Sequence, residues 1–460
     1  MEDERRDKIL RGIHAYFVDF YKQGMVYVQD TEVMPRNVLQ KRKEHEGQLL
    51  KGMYWALFSL HLLHRKYGIA TAEQLARITE RENAPEYTGE PEQEEEECDE
   101  VFDSVHYYGV EVPQSEPEPI QMDAGFALQP LDIELLRLST RSMMASDLDT
   151  SILEGKDVDA VLRFLKLCQR EFVYEDYTFL GFANSDDRRR FSANISSTLM
   201  AINTYRVIGD YLNVKASLGF LKHMTWVYQS DELLAYINLL YVQKKGYYKK
   251  SLMPLVPENA DIRHTASAVL STSIALRISG YQNTYYRIKI AEWIRIREVT
   301  ENLMRHFNED GGVGLIPNGE SHCGAAFCAI VILAVTGAVP TVPRQRLIKL
   351  KSWLLKRLTA FGGVSGRVGK SEDVCYSFWL LATLSMLNKF GVHSQILRGR
   401  EMIRFIERCQ TPCGGIAPYP CDEGEPGNPD PFHSFAALMT ITLIEEERQQ
   451  VDLSVLQMLI

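Results

Sequence analysis

The 460-residue chain has little of what marks several large classes of protein. No apolar run is long enough to cross a bilayer; the longest, Ala325 to Val335, suits a buried helix. The opening MEDERRDKIL is charged and lacks the apolar stretch that a secretory signal needs. Eight cysteines without such a signal predict reduced thiols in a cytoplasmic protein, not a disulfide framework. Alternating strand patterns of useful length are scarce. Basic charge is not in excess either: 51 Lys and Arg face 61 Asp and Glu, for a net −10. These absences exclude collagenous, integral membrane and secreted classes, and a nucleic-acid binder driven by bulk charge.

What is present is a 45% apolar composition, enough for a substantial core, and an uneven distribution of charge. Between Arg81 and Pro119 stand fourteen acids and one Arg, a net −13 that leaves the remainder at +3. With the run Glu94-Glu95-Glu96-Glu97, scattered prolines and few aliphatics, residues 80–121 read as a solvated, disordered insertion. It separates residues 1–79, N-terminal helices and the start of the main fold, from residues 122–460, which hold the rest.

Elsewhere the apolar spacing is helical. Leu347, Leu350, Leu354, Leu355 and Leu358 share a face, as do Met402, Ile403, Ile406 and Cys409. Glycine pairs recur at Gly311-Gly312, Gly362-Gly363 and Gly414-Gly415, intervals of 51 and 52 residues. After each pair come a polar loop, an apolar helix and a more charged helix. A shift of 51 lays His322 to Phe327 over Asp373 to Phe378; Asp430 and Phe435 repeat the pattern, and Asp261 opens a possible earlier copy. Each unit is a helical hairpin too small to bury its own face, so the units stack into an open solenoid or close into an all-α ring, an α/α toroid. Loops at equivalent positions then gather at one end, bringing His322, Asp373, Cys375, Tyr376, Asp430 and His433 to one rim.

Asp373-Val374-Cys375 is the sharpest local signal. Mid-helix, residues two apart point in nearly opposite directions, but at a loop-to-helix junction they can share a ligand. A helix N-terminus there is expected to lower the thiol pKa toward the metal-binding thiolate. With His433 they make an Asp/Cys/His set of three ligands, which leaves a fourth zinc position for substrate. Two plainer readings compete: Asp373 as a helix cap with Cys375 as a small apolar residue, or a closed structural site from Cys409, Cys413, Cys421 and His433. Arg367 and Lys370, in a glycine-rich turn before Asp373, suit a phosphate, and His322 and Tyr376 at matching repeat positions suggest a diphosphate pocket. Asp186-Asp187 is followed by three arginines and reads as a surface loop. Phe327, Cys328, Phe378 and Trp379 fall on the inner helices, as core or as the lining of an apolar tunnel.

Taken together, GMYWALFSL (52–60), Asp261-Ile262-Arg263, GGVGLIPNGESHCGAAFCAI (311–330), GGVSGRVGKSEDVCYSFWLLATL (362–384) and the pair GGIAPYP and PDPFHS between Gly414 and Ser434 resemble the β subunits of protein prenyltransferases. The resemblance covers the chain outside the acidic insertion. It implies an α/α barrel paired with a helical α subunit, without which the chain is inactive. Asp373, Cys375 and His433 match the family's zinc ligands and Asp430 an acid beside them. His322, Arg367, Lys370 and Tyr376 match its diphosphate-binding residues, Tyr376 standing also with the catalytic set. Arg263, Cys328 and Trp379 match positions along the isoprenoid cavity. The reaction implied is attack by an acceptor cysteine, held as thiolate by zinc, on C1 of a prenyl diphosphate.

Among family members the geranylgeranyltransferase type I β subunit is the nearest in pattern. It implies geranylgeranyl diphosphate as donor and, as acceptors, CaaX proteins such as Rho-type small GTPases, X often Leu. Asp-Val-Cys-Tyr and Asp-Pro-Phe-His resemble the Rab enzyme instead, and Tyr-Trp-x-Leu resembles farnesyltransferase. Lys51 stands about where the family gates isoprenoid length, and Ala266 and Ala436 where aromatics are expected, which suits a C20 chain. The magnesium requirement stays open: the deciding position falls on Glu423 or on Pro418, depending on the direction of counting. The other class of reading is a toroid kept as a binding scaffold without turnover.

Overall fold

The computed structural model describes residues 2–29, 49–69, 155–174, 177–188, 190–211, 230–252, 260–278, 283–394, 398–420 and 428–448. The acidic segment 80–121 lies outside them, as do Cys421 and Glu423. In chain order the helices are α1 (Glu2–Gln29), α2 (Leu49–Tyr67), α3 (Gly155–Cys168), α4 (Ile195–Tyr211), α5 (Ser230–Leu239), α6 (Ile262–Ile278), α7 (Asn283–Trp293), α8 (Ile296–Met304), α9 (Cys323–Thr336), α10 (Arg344–Leu355), α11 (Val374–Lys389), α12 (Gly399–Arg408) and α13 (Pro431–Arg448).

Two kinds of helix alternate, and their sequences say why. In α9, CGAAFCAIVILAVT, nearly every side chain is apolar and buried, as a helix in the middle of a protein must be. In α12, Met402, Ile403, Phe405 and Ile406 are buried while Arg400, Arg404 and Arg408 face water. The apolar helices α2, α4, α6, α9, α11 and α13 form an inner ring in which each packs on the next and α13 closes on α2. Helices α1, α3, α5, α8, α10 and α12 lie outside them. The architecture is an α/α toroid of helical hairpins.

The glycine pairs make the turns between outer and inner helices. Gly311, Gly362 and Gly414 have φ of +92°, +88° and +88°, a region a side chain rarely adopts. A Cβ there would meet the carbonyl oxygen of Lys349 on α10, Glu401 on α12 and Gly12 on α1, at 2.9, 2.2 and 2.3 Å. Each glycine is thus the seat of the next outer helix, and the last seat is taken by the first helix of the chain.

After the turn, the backbone N–H at the start of five of the six inner helices donates to a carbonyl in the next unit's loop. The pairs are Leu50 to Asn184 (3.2 Å), Ile195 to Lys250 (2.8 Å), Ile262 to Leu315 (2.9 Å), Cys323 to Gly366 (3.0 Å) and Val374 to Pro418 (2.9 Å). These latches hold the inner-helix N-termini at one end of the barrel.

Three details depart from the sequence reading. Leu358 lies beyond the end of α10, in a bridge with Val364, because the helix stops at Leu355 to enter the glycine turn. Two short antiparallel hairpins interrupt the helices: β1 (Gln169–Tyr174) with β2 (Tyr177–Phe182), and β3 (Tyr241–Val242) with β4 (Tyr247–Tyr248). Both occupy the turn position. Ala183 N donates to Cys168 O at 2.8 Å and Lys249 N to Leu240 O at 2.8 Å, as Ala417 N does to Cys409 O at 2.9 Å. The Asp186-Asp187 pair follows β2 at the loop before α4, and Ser185 and Arg190 bond to it locally.

Candidate active site

Four inner helices begin with the same cap. The side chain before the helix accepts from the N–H two residues on: Asp261 from Arg263 (2.9 Å), His322 from Gly324 (3.0 Å), Asp373 from Cys375 (2.8 Å) and Asp430 from Phe432 (2.8 Å). Such a cap contributes about 1 kcal/mol to a helix and fixes the direction of the residues just after it.

At the starts of α11 and α13 the caps converge. Asp373, Cys375 and His433 have ligand atoms within 4.8 Å of one another, and no other such group of His, Cys, Asp or Glu occurs among the described residues. His433 Nε2 lies 3.2 Å from Asp373 Oδ1, and its Nδ1 lies 2.5 Å from Asp430 Oδ2. Burial alone would lower the His433 pKa, but the hydrogen bonds to Asp373 and Asp430 carry it up to about 9. Burial would raise Asp373, yet His433 beside it holds it below the ordinary carboxylate range. Cys375 behaves against expectation. Burial first, and then the Asp373 carboxylate, push its thiol up, so desolvation and the neighbouring carboxylates outweigh the helix N-terminus.

That arrangement fits a divalent cation. Carboxylate, thiol and imidazole are the donors a borderline-soft ion takes. The proton on His433 Nε2 and the one on the thiol are those a cation would displace. Asp430, bonded to the far ring nitrogen, would orient the imidazole. The closed Cys3His alternative is not assembled by what is described. Cys409 is buried, whereas Cys413 is exposed and lies 3.2 Å from Thr411 Oγ1.

The neighbouring caps carry opposite chemistry. His322 Nδ1 accepts from the helix, so in the neutral ring Nε2 bears the proton; it faces Tyr376 Oη at 3.5 Å. Burial, then Arg367 and Arg263, depress the His322 pKa to about 4, which keeps the ring neutral at pH 7 with one N–H to donate. Arg367 comes from the next unit's glycine-rich turn and pairs with Glu320 at 3.2 Å, a partner the sequence did not suggest. Lys370 stands exposed on the same turn, its N–H 3.4 Å from Arg367 O. Arg263 is clamped by Asp261 through contacts of 3.0 and 2.6 Å. Cys328 is partly buried within the field of Asp261 and Arg263; burial raises its pKa to about 12, which makes it an inert thiol.

An aromatic layer continues from these groups. Trp379 lies 6.2 Å from His322 and 5.5 Å from Tyr376, and Phe432 links Trp379 (5.8 Å) to Trp55 (5.1 Å). Phe378 joins Phe327 and Phe435 nearby. Trp55 and Phe432 escaped the sequence reading as site residues, since they meet only where the last inner helix closes on the first. The tetrad Tyr-Trp-Ala-Leu was the signal available for Trp55.

A closed ring of helical hairpins whose caps gather a thiol, an imidazole, carboxylates and basic groups at one end defines the class, an α/α toroid with a polar rim. Residues 137–458 match the prenyltransferase alpha-alpha toroid domain, and the chain belongs to that family. The geranylgeranyl transferase type-1 subunit beta of Arabidopsis thaliana is 26% identical over 314 residues, 64% of this chain and 73% of that one. The type-2 subunit beta of Saccharomyces cerevisiae is 32% identical over 143 residues, 31% of this chain and 41% of that one. Among solved structures, Candida albicans protein geranylgeranyltransferase-I complexed with GGPP aligns at 19% identity and a TM-score of 0.49, over 69% of this chain and 85% of that one. No helix of the described residues is long and apolar enough to cross a membrane.

Proposed function

We propose that this chain is the zinc-dependent β subunit of a type I protein geranylgeranyltransferase, working with an α subunit on proteins that end in a CaaX sequence. The carrying observation is that a cation-ready tripod and a cluster of anion-ready donors meet at one rim beside an aromatic layer. Membership of the prenyltransferase family and the likeness to a type-1 β subunit support the same reading.

Asp373, Cys375 and His433 would hold the zinc, which supplies a positive charge that keeps an acceptor thiol deprotonated at neutral pH. Asp430 fixes the imidazole of His433 for that task. The acceptor sulfur attacks C1 of the prenyl diphosphate. The C–S bond forms as the C1–O bond breaks, and the electron pair leaves on the diphosphate. His322 donates through Nε2–H, and Tyr376, Arg367 and Lys370 complete the donors for that growing charge. Arg367 must exchange Glu320 for the phosphate as the donor binds. Arg263, Cys328 and Trp379 line the start of the isoprenoid path, with Phe327 and Phe378 beyond. Ala266 and Ala436, both buried on inner helices, leave room that aromatics would take, which favours a C20 chain.

The test is single-turnover transfer by the co-purified αβ complex, offered farnesyl and geranylgeranyl diphosphate with Cys-a-a-Leu and Cys-a-a-Ser peptides. Geranylgeranyl transfer to the Leu peptide is the expected result. Farnesyl transfer to the Ser peptide would make the complex a farnesyltransferase, and silence with both peptides would point to a Rab-type enzyme or to a scaffold.

A further inference from the structure

His322 and Arg367 belong to neighbouring units, and Glu320 forms an ion pair between their loops. Its Oε2 accepts from Arg367 Nη1 at 3.2 Å. A guanidinium can bind a carboxylate through two parallel N–H groups. Here one of its donors is left over: Arg367 Nε is buried and has no partner among the described residues. The pair is also open to water, with 40% of the Arg367 side chain and 53% of the Glu320 side chain exposed.

Both backbones are pinned, which leaves the two side chains as the parts that can exchange partners. Glu320 stands between Gly319, whose carbonyl accepts from Asn308 Nδ2 at 2.7 Å, and Ser321, whose Oγ accepts from the same nitrogen at 2.9 Å. Ser321 Oγ donates in turn to Asp310 Oδ1 at 2.8 Å. Trp353 Nε1 donates to the other oxygen of Asp310 at 2.9 Å and anchors that loop to α10. Across the pair, the Arg367 carbonyl accepts from Ser365 Oγ at 3.1 Å and from the Lys370 N–H at 3.4 Å. The loop itself does not call for an acid, since a shift of 51 residues puts Ser371 at the place of Glu320 in the next unit. Nor is Glu320 the helix cap, a role that His322 fills on α9. The two charges also meet at His322, whose pKa Arg367 lowers and Glu320 raises.

We propose that Glu320 is a placeholder for the diphosphate: it pairs with Arg367 while the site is empty, yields it to the prenyl diphosphate, and reclaims it as the product diphosphate leaves. This rests on the transferase reading, in which Arg367 is one of the diphosphate's hydrogen-bond donors. A single carboxylate contact leaves Nε unmet. A phosphate that reaches both nitrogens therefore gains more than Glu320 gives, and the exchange runs toward the substrate. Glu320 stays within reach on its fixed loop, so the exchange runs back once the diphosphate has no prenyl chain to hold it. Exposure keeps the competition mild: a solvated pair of this kind is worth on the order of a two- to fivefold change in affinity.

The experiment is a double-mutant cycle on the αβ complex: wild type, Glu320→Gln, Arg367→Gln and both together. Affinities for inorganic pyrophosphate and geranylgeranyl diphosphate are read by isothermal titration, and product inhibition by pyrophosphate added to the transfer assay. Glu320→Gln is expected to tighten both ligands about two- to fivefold and to make pyrophosphate inhibit at correspondingly lower concentration. In the Arg367→Gln background the gain is expected to vanish. Zinc content and melting temperature should not change, which separates the exchange from a structural role. An equal gain in both backgrounds would reduce Glu320 to a nearby negative charge and overturn the proposal, as would weaker binding or no change in Glu320→Gln. If the complex binds pyrophosphate with the cycle intact but transfers nothing, the placeholder stands and the transferase reading falls. If transfer proceeds while Arg367→Gln leaves both affinities untouched, the placeholder falls alone. No binding of either ligand by any variant would sink both.

Discussion

The starts of α6 and α9 differ from the starts of α11 and α13 in chemistry and hardly at all in shape. Each uses one side chain to accept the N–H two residues on, within 2.8 to 3.0 Å. Yet the first pair offers a guanidinium and a neutral imidazole whose remaining N–H faces Tyr376 Oη. The second pair offers a thiol and an imidazole flanked by Asp373 and Asp430. The scaffold fixes where the residue after the cap points; the residue type then decides whether that point attracts anions or cations. Because neighbouring units carry opposite signs, the proposed metal and diphosphate would sit side by side at one rim.

The sharpest way to break this comparison is at the metal side. Cys375→Ala is expected to abolish stoichiometric zinc in the purified complex and to cost more than about 10²-fold in kcat/KM, beyond what an orienting residue costs. Cys413→Ala, on an exposed turn, should leave both intact; the reverse pattern would restore the closed Cys3His site. Asp430→Asn is the subtler cut. Asn caps a helix as well as Asp does, so melting should stay near wild type while zinc affinity falls about 10- to 100-fold through loss of the His433 partner. Equal loss of stability would mean that Asp430 serves the helix and not the ring nitrogen.

On the anion side, Arg367→Gln should weaken prenyl diphosphate about tenfold, as the loss of one charged hydrogen bond does. Zinc content should not change, and isothermal titration with the donor reads this directly. A further effect is a pH dependence of the chelator-treated chain. The folded pKa of His433, about 9, lies above its unfolded value of about 6.5. Its stabilisation is therefore fully present below pH 6.5 and lost as pH rises through 9, on the order of 1–3 kcal/mol. Melts of chelator-treated protein should fall across that window and the zinc-loaded protein should not; identical curves would remove the imidazolium from the account.

Much of this was legible in the sequence where the repeat was regular. Gly311, Gly362 and Gly414 gave the period, and the period brought Asp373 and His433 together. Asp261 does open an inner helix, as its register suggested. Legibility failed where a unit changed its turn. Gly246 has the positive φ of the series and seats against Glu298, but it lacks a second glycine and so made no pair. At Gln169–Phe182 a hairpin replaces the glycine turn altogether, and only the shared Cys-Gln at 168–169 and 409–410 hinted at the equivalence. Arg367 with Glu320, and Trp55 with Phe432, are contacts between units, set by how the ring closes. The thiol of Cys375 was misjudged because a helix end is visible in sequence, whereas the depth of its burial and the carboxylates packed around it are not.

One link in the ring is unlike the others. Helix α13 starts on Pro431, which has no N–H to give and instead rests against Gly52 of α2. Every earlier junction is a backbone bond, while this one is held by side chains: Trp55 on Phe432, Lys66 on Glu446 and Tyr67 on Glu445. The toroid is in that sense a bracelet with a clasp. Substitutions at the clasp are expected to loosen the ring at this one junction, and because Phe432 belongs both to the clasp and to the layer beside His433, that loosening would be felt at the rim.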